Sequence, residues 1–179
     1  MKISEIAELF GIKAFNSKND KDIKWLLTDS RNLSFPEETL FFAIVTNRND
    51  GHKYIPELYA KGLRNFVVSE MLEEFAELSE AVFFKVDNTI NALQNLTAKY
   101  RSEFSIPVIG ITGSNGKTIV KEWLYQLLHR DYVVTRSPRS YNSQIGVPLS
   151  VWSLNTETQL GVFEAGISMP GEMQKLEKI

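Results

Sequence analysis

The clearest chemical pattern in the sequence is a glycine-rich stretch at residues 110–118, which has the sequence GITGSNGKT. It lies between an apolar segment typical of a strand and a segment with helical apolar spacing, which is the setting of a phosphate-binding turn. Glycines at 113 and 116 permit a tight turn in which successive backbone N–H groups point into one concavity at a helix N-terminus. Lys117 can then reach the β- and γ-phosphates of a nucleotide, and Thr118 can offer its hydroxyl to Mg²⁺.

The stretch therefore predicts an ATP-binding turn, with Lys117 as the candidate catalytic residue. The strict pattern G-x-x-x-x-G-K-[ST] requires glycine at position 111, where this chain has Ile111. The alternative interpretation is an ordinary glycine turn before a helix, with Lys117 in solvent. The candidate ATP-binding residues are Gly113, Ser114, Asn115, Gly116, Lys117, Thr118, Ile119 and Asn142.

The segments around this turn alternate between apolar strands and helices of about ten residues, which predicts an α/β fold with largely parallel sheets. The predicted strands are 23–27, 39–45, 64–69, 81–86, 108–112, 132–135 and 159–165. The predicted helices include 53–61, 71–78, 143–154 and 170–179, a long helix capped by Asn88, and one after the turn with Val120, Trp123, Leu124, Leu127 and Leu128 on one side.

The strand and helix pattern restarts near residue 104, which predicts one domain at 1–104 and the first part of a second domain at 105–179. The second segment is short for an independent core and ends within an amphipathic pattern. We therefore expect the chain to be a piece of a longer protein.

Composition narrows the possible partners. The 179 residues include 20 Lys and Arg against 22 Asp and Glu, a net charge of −2 that provides no general attraction for nucleic acid or an anionic membrane. The sequence has no cysteine, which excludes disulfides, thiolate zinc sites and a cysteine nucleophile. Glu5 and Glu8 interrupt the first apolar segment, so a secretory signal is not expected. These features predict a cytoplasmic protein without a nucleic-acid or membrane partner, and they leave its oligomeric state open.

The stretch 111–118, together with the following residues Ile119 to Glu122, resembles the ATP-binding turn of the Mur ligases, the ATP-dependent amide ligases of peptidoglycan precursor synthesis. The Mur ligase turn also lacks the first strict glycine. Three further motifs resemble the family in the same order along the chain. They are residues 28–31 with 39–43 and 50–52, residues 140–149, and residues 163–168 with 170–172.

Within the family, the resemblance is strongest to the members that add D-alanyl-D-alanine, and residues 137–142 resemble the version fused to an alanine racemase. It implies a small N-terminal α/β domain that binds a UDP-linked substrate, followed by the start of a P-loop α/β ATPase domain. It also implies ATP and Mg²⁺ as cofactors, with UDP-N-acetylmuramoyl-tripeptide and D-alanyl-D-alanine as substrates. The family's modified lysine and metal-binding histidine would lie beyond residue 179, so we expect no ligation by this chain alone.

The resemblance also implies roles for individual residues. Thr118 and Glu164 would bind Mg²⁺, and Asn142 would reach a phosphate or a metal-bound water. The candidate UDP-substrate residues are Ser30, Arg31 and Arg48.

Each of these assignments has a structural alternative: Glu164 as a surface residue at a strand end, Asn142 as a turn or cap, residues 29–31 as an ordinary turn, and Arg48 in solvent. His52 is expected to have a structural role rather than a catalytic one.

Three other functions remain open at this point. They are another Mur-type ligase, such as one that adds a diamino acid, a folylpolyglutamate-type ligase that shares the acyl phosphate chemistry, and a non-catalytic nucleotide-binding module that senses UDP-sugars.

Overall fold

The computed structural model describes residues 1–12 and 20–179 and divides the chain into two compact units, Met1–Ala92 and Leu93–Ile179. The division falls inside the helix Thr89–Arg101, earlier than the boundary that the sequence pattern places at residue 104. Helix residues after the division are bound within the second unit: Gln94 Nε2 donates to Gln144 Oε1 at 2.9 Å, and the Tyr100 hydroxyl donates to the Leu154 carbonyl at 2.6 Å. The domain functions assigned from the sequence stay predictions.

The first unit consists of a parallel four-stranded sheet, a short hairpin and the helices that connect the strands. Its elements in chain order are α1 (Ile3–Leu9), β1 (Trp25–Leu27), β2 (Thr39–Phe42), β3 (Val45–Thr46), β4 (Asn49–Asp50), α2 (Ile55–Ala60), β5 (Asn65–Val68), β6 (Val82–Lys85) and α3 (Thr89–Arg101), which continues into the second unit. The sheet has the order β1-β2-β5-β6, and the strands β3 and β4 form a separate antiparallel hairpin.

The central strands of this sheet carry an almost continuous apolar sequence because both of their faces are covered. Every residue of β2 and β5 is buried, and Phe41 pairs in register with Phe66. A cluster of buried side chains lies on this sheet and includes Leu27, Phe41, Ala43, Ile55, Leu58, Leu63, Phe66, Val68 and Phe75. This confirms the predicted parallel α/β arrangement.

The second unit repeats the alternation on a smaller scale. Its further elements are β7 (Val108–Ile111), α4 (Lys117–Leu128), β8 (Val134–Arg136), α5 (Gly146–Val151), β9 (Leu160–Glu164) and α6 (Glu172–Leu176). All three strands are parallel in the order β7-β9-β8, so β9 is central and is buried along its whole length. Val147, Val151, Leu154, Phe163 and Leu176 form the buried cluster of this unit.

Several predicted helices are shorter than the sequence pattern indicates, and the segment 170–179 is helical only at Glu172–Leu176. The segment 71–78 contains only a 3₁₀ turn at Glu73–Glu77, which lacks a side-chain cap at its start. In the segment 143–154, the hydroxyl of Ser143 accepts a hydrogen bond from the Gly146 N–H at 3.1 Å and forms a turn there. Helix α5 consequently begins only at Gly146.

The helix after the glycine-rich turn has an unusual burial pattern. Its apolar side is largely exposed, with Val120, Trp123 and Leu127 at 44%, 64% and 71% exposure. The buried residue of α4 is instead the charged Lys121. Among the described residues, no helix is long and apolar enough to cross a membrane.

Candidate functional site

The predicted phosphate-binding turn lies between β7 and α4, as the sequence pattern requires. Gly113 and Gly116 have φ values of 136° and 80°, a backbone conformation that residues other than glycine rarely adopt. Gly116 directly precedes the first residue of α4. Residues 112–116 are exposed. The Lys117 ammonium donates to the Gly113 carbonyl at 2.6 Å, so the lysine folds back over the turn where a phosphate would lie.

The end of β9 meets the start of α4 directly beside this turn. Glu164 pairs in register with Ile111, the last residue of β7, and its side chain is fully buried. The Thr118 hydroxyl donates to Glu164 Oε2 at 3.1 Å. The fold therefore brings together the two predicted metal ligands from separate parts of the sequence, and the alternative of a surface position for Glu164 is wrong.

These two side chains suit a magnesium ion. A hydroxyl and a carboxylate supply the hard oxygen atoms that Mg²⁺ prefers. Glu164 Oε1 is buried and accepts no well-aligned hydrogen bond, and its charge partner is the Lys121 ammonium at 2.9 Å, whereas Oε2 lies on the side of Thr118. The described residues contain no group of three His, Cys, Asp or Glu side chains that could enclose a metal. A cation at this position would therefore take its other ligands from phosphate oxygens and water, as Mg²⁺ commonly does beside nucleotides.

The other two candidate ATP-site residues differ in placement. Asn142 lies against the segment that follows β9, because its carbonyl accepts a hydrogen bond from the Gly166 N–H at 2.7 Å. A Cβ atom at Gly166 would lie only 3.1 Å from Asn142 Oδ1, so the glycine allows this close approach. Ile119 has 57% of its surface exposed on α4. The roles of both in binding ATP stay predictions.

Lys121 is part of this site although the sequence pattern did not identify it. Its ammonium lies 2.9 Å from Glu164 Oε1, and both side chains are fully buried. The sequence could have pointed to Lys121 only through its spacing, because it follows Thr118 by three residues and so lies on the same face of the helix. Its partner comes from a distant strand, which sequence spacing alone does not reveal.

The polar residues of the first unit gather at the carboxyl ends of its parallel strands, the edge at which α/β sheets bind ligands. Ser30 follows β1 and is nearly buried, whereas Arg31 is exposed and binds Asp29 with two hydrogen bonds of 2.9 and 2.6 Å. Arg48 lies in the exposed hairpin after β2, and its backbone N–H donates to the Thr46 hydroxyl at 3.3 Å. The structure places all three at one edge, and their role in substrate binding stays a prediction.

His52 links two loops at this edge. Its Nε2 accepts hydrogen bonds from the backbone N–H groups of Ser69 and Glu70 at 3.1 and 3.3 Å, so the ring proton is on Nδ1. Nδ1 lies 2.6 Å from Asp50 Oδ1. The His52 backbone N–H donates a hydrogen bond to the Asp50 carboxylate, and this bond, together with the hydrogen bond from the His52 ring, lowers the pKa of Asp50. The side chain is only 2% exposed, and these contacts agree with the structural role expected for it.

The contact between Arg31 and Asp29 leads to a prediction about acid titration. The Arg31 side chain, through its hydrogen bonds and charge, lowers the pKa of Asp29. A lowered pKa in the folded state stabilises the fold above the ordinary pKa of Asp, and this contribution is lost as the pH falls through the lowered value. We expect Arg31→Ala to raise the pKa of Asp29 toward its ordinary value, measured by NMR titration of the carboxyl carbon. Arg48→Ala should leave that pKa unchanged, and a titration identical in both variants would contradict the assignment.

Comparison with known proteins agrees with this geometry. The model of the Mur ligase middle domain matches residues 111–179. The chain is 32% identical to the UDP-N-acetylmuramoyl-tripeptide–D-alanyl-D-alanine ligase of Bacillus subtilis over 178 residues, which is 99% of this chain and 38% of that protein. The corresponding ligase of Borreliella burgdorferi is also 32% identical, with 99% and 38% of the two chains covered. The chain thus spans about two-fifths of the length of these relatives.

Solved structures give the same result. The D-alanyl-D-alanyl ligase of Acinetobacter baumannii superposes with a TM-score of 0.81 at 27% identity, covering 97% of this chain and 38% of that one. The MurF ligase of Thermotoga maritima in complex with ADP superposes with a TM-score of 0.75 at 29% identity, covering 88% and 36%. Together with the glycine-rich turn and the buried glutamate beside it, these similarities confirm the resemblance seen in the sequence, and the chain belongs to the Mur ligase family.

Proposed function

We propose that the chain is part of an ATP-dependent ligase that joins D-alanyl-D-alanine to UDP-N-acetylmuramoyl-tripeptide. The observation that carries the proposal is the meeting of Thr118 and Glu164, 3.1 Å apart, beside a glycine-rich turn that bears Lys117. The names of the relatives and of the solved structures supply the reaction and the substrates.

The proposed reaction overcomes the poor reactivity of a carboxylate. The terminal carboxylate oxygen of the tripeptide attacks the γ-phosphorus of ATP, forming an acyl phosphate and releasing ADP. The amine of D-alanyl-D-alanine then attacks the acyl carbon, the C–O bond to phosphate breaks, and the amine loses a proton. The products are an amide, ADP and inorganic phosphate.

The residues of this chain would serve the first of these steps. The Lys117 ammonium would leave the Gly113 carbonyl and pair with the β- and γ-phosphates, while backbone N–H groups of the turn hold the phosphate oxygens. A Mg²⁺ ion held by Thr118 and Glu164 would neutralise negative charge on those oxygens. The position of Asn142 beside Gly166 supports a role near the same phosphates.

The UDP portion of the substrate would bind at the carboxyl edge of the first sheet. Ser30, Arg31 and Arg48 lie there, and the two arginines can offer positive charge to a diphosphate. Arg31 would exchange its contact with Asp29 for the ligand. We also propose that the protein is cytoplasmic and has no nucleic-acid partner, as its sequence predicts.

The ATP site is tested by calorimetric titration of the chain with ATP and Mg²⁺. We expect Lys117→Ala to weaken binding about 10- to 100-fold, because hydrogen bonds to charged groups contribute about 1.5–3 kcal/mol. Lys99→Ala, which removes an exposed lysine from α3, is the matched control and should bind as the unaltered chain does. Equal affinity in all three proteins would contradict the proposed site.

Calorimetric titration with the candidate substrates distinguishes the alternative functions. Binding of UDP-N-acetylmuramoyl-tripeptide supports the Mur-type reaction over a folylpolyglutamate-type one, for which a folate should bind instead. A relative that adds 2,6-diaminopimelate, from Clostridium tetani, is also 32% identical but over only 120 residues, or 66% of this chain. The wider coverage by the D-alanyl-D-alanine ligases favours the proposed acceptor.

A further inference from the structure

Lys121 is a buried charge that phosphate binding by the glycine-rich turn does not explain. Its side chain is fully buried on α4. The ammonium lies 2.9 Å from Glu164 Oε1 and 3.3 Å from Glu122 Oε1, and it donates hydrogen bonds to the carbonyls of Ser137, at 2.9 Å, and Arg139. Burying an ammonium is costly unless it is paired and hydrogen-bonded, and here each of its three protons has an oxygen within reach.

The contacts of Glu164 are divided between its two oxygens. Oε2 accepts the hydrogen bond from Thr118 on the side of the nucleotide turn, whereas Oε1 faces the Lys121 ammonium. In the part of the chain that the structure describes, the neighbouring cation Arg136 pairs with Glu122 rather than with Glu164. Lys121 is thus the positive charge that compensates this buried carboxylate and fixes its orientation.

The same ammonium also holds the segment that leads from β8 to Asn142. Arg139 has a φ of 50°, a left-handed conformation that is unfavourable for a residue with a side chain, and its carbonyl is bound by Lys121. The Ser137 carbonyl is bound as well, and the Ser137 hydroxyl accepts a hydrogen bond from the Glu164 N–H at 3.0 Å. One lysine therefore joins the helix of the turn, the end of β9 and this segment.

We propose that Lys121 is a positioning residue for the divalent cation of the nucleotide site. By pairing with Oε1, it holds the Glu164 carboxylate in the orientation that presents Oε2 toward Thr118 and a cation bound there. It touches neither the nucleotide nor the metal. This inference depends on the proposed function of the turn as a nucleotide site.

The test measures binding of Mn²⁺ to the ADP-loaded chain by electron paramagnetic resonance. Losing a group that orients a metal ligand commonly weakens metal affinity about 10- to 100-fold, and we expect this loss in Lys121→Met. ADP affinity in EDTA should stay unchanged, because Lys121 does not contact phosphate. Lys121→Arg should restore much of the Mn²⁺ affinity. Arg136→Met removes a cation of the same cluster that does not face Glu164, and it should bind Mn²⁺ normally.

A double variant separates positioning from general structural support. If Lys121 acts through Glu164, then Glu164→Gln/Lys121→Met should bind Mn²⁺ as weakly as Glu164→Gln alone. Additive losses would overturn the proposal, and so would normal Mn²⁺ binding by Lys121→Met. A chain of the original sequence that binds ADP no better with Mn²⁺ than in EDTA would instead overturn the proposed nucleotide function itself.

Circular dichroism establishes whether Lys121→Met folds. If it does not, the ¹⁵N resonance of the Lys121 ammonium in the original chain decides the matter. ADP with Mg²⁺ should shift this resonance, because Glu164 then shares its charge with the cation, whereas ADP in EDTA should not. The same response to both additions would overturn the proposal.

Discussion

Glu164→Gln should abolish most of the strengthening of nucleotide binding by Mg²⁺. The substitution keeps the size of the side chain but removes the charge that a cation needs at the end of β9. Since even indirect contacts to a metal ligand are worth about 10- to 100-fold in affinity, we expect the loss of the ligand itself to cost at least about 100-fold. The measurement is calorimetric titration with ADP at several Mg²⁺ concentrations.

When the metal is removed, the same substitution should no longer weaken ADP binding. In EDTA the Glu164 carboxylate faces the polyphosphate without a cation between them, so neutralising it should leave ADP affinity unchanged or slightly raised. Glu157→Gln, at an exposed position of the same unit, is the matched control and should behave as the original chain does in both conditions. If Glu164→Gln responded to Mg²⁺ as strongly as the control, Glu164 would not be a metal ligand.

His52→Leu should strongly destabilise the first unit. Leucine fills the buried space but leaves the backbone N–H groups of Ser69 and Glu70 without their acceptor, and Asp50 without the ring N–H. The two backbone N–H groups are partly buried, and an unsatisfied buried group costs about 1–3 kcal/mol, so we expect the free energy of unfolding to fall by about 1–3 kcal/mol. Hydrogen exchange of the β5 amides reports this loss within the first sheet.

The second histidine of the chain provides the control. His129 lies in an exposed position beyond the end of α4, where its Nδ1 lies 2.9 Å from the Tyr125 carbonyl. His129→Leu should change stability by less than about 1 kcal/mol and leave exchange in β5 unaltered. Equal protection of the β5 amides in the two variants would mean that His52 does not hold the loops together.

Local chemistry explains which parts of the fold were predictable from sequence. Strands β2 and β5 are buried apolar runs, so their type followed from composition, and Asn88 caps α3 as expected, since Asn91 donates its N–H to the Asn88 side chain at 2.9 Å. The glycine-rich turn needs its glycines at positions 113 and 116 because the backbone there has positive φ values. Residues within one segment determine all of these features.

Features that depend on distant partners were not predictable in this way. The apolar spacing of α4 indicated a covered side, yet Trp123 and Leu127 are exposed and Lys121 is buried. The reason is that burial depends on what packs against a helix, and Lys121 meets Glu164 only after β9 joins the sheet. Glu164 itself was identifiable because a carboxylate at the end of a buried strand calls for a partner, although the sequence did not reveal that this partner is a lysine.

The order of strands in the second sheet affects when the proposed nucleotide site can form during synthesis of the chain. Strands β7 and β8 both pair with β9 and not with each other, so neither has a partner until residues 160–164 have left the ribosome. Pairing across such sequence separation is intrinsically slow, whereas the first sheet is complete once β6 has emerged. The contact between Thr118 and Glu164 therefore forms only after β9 has been synthesised. Under the proposed function, ATP could bind and stabilise the second unit only after the first unit has already folded.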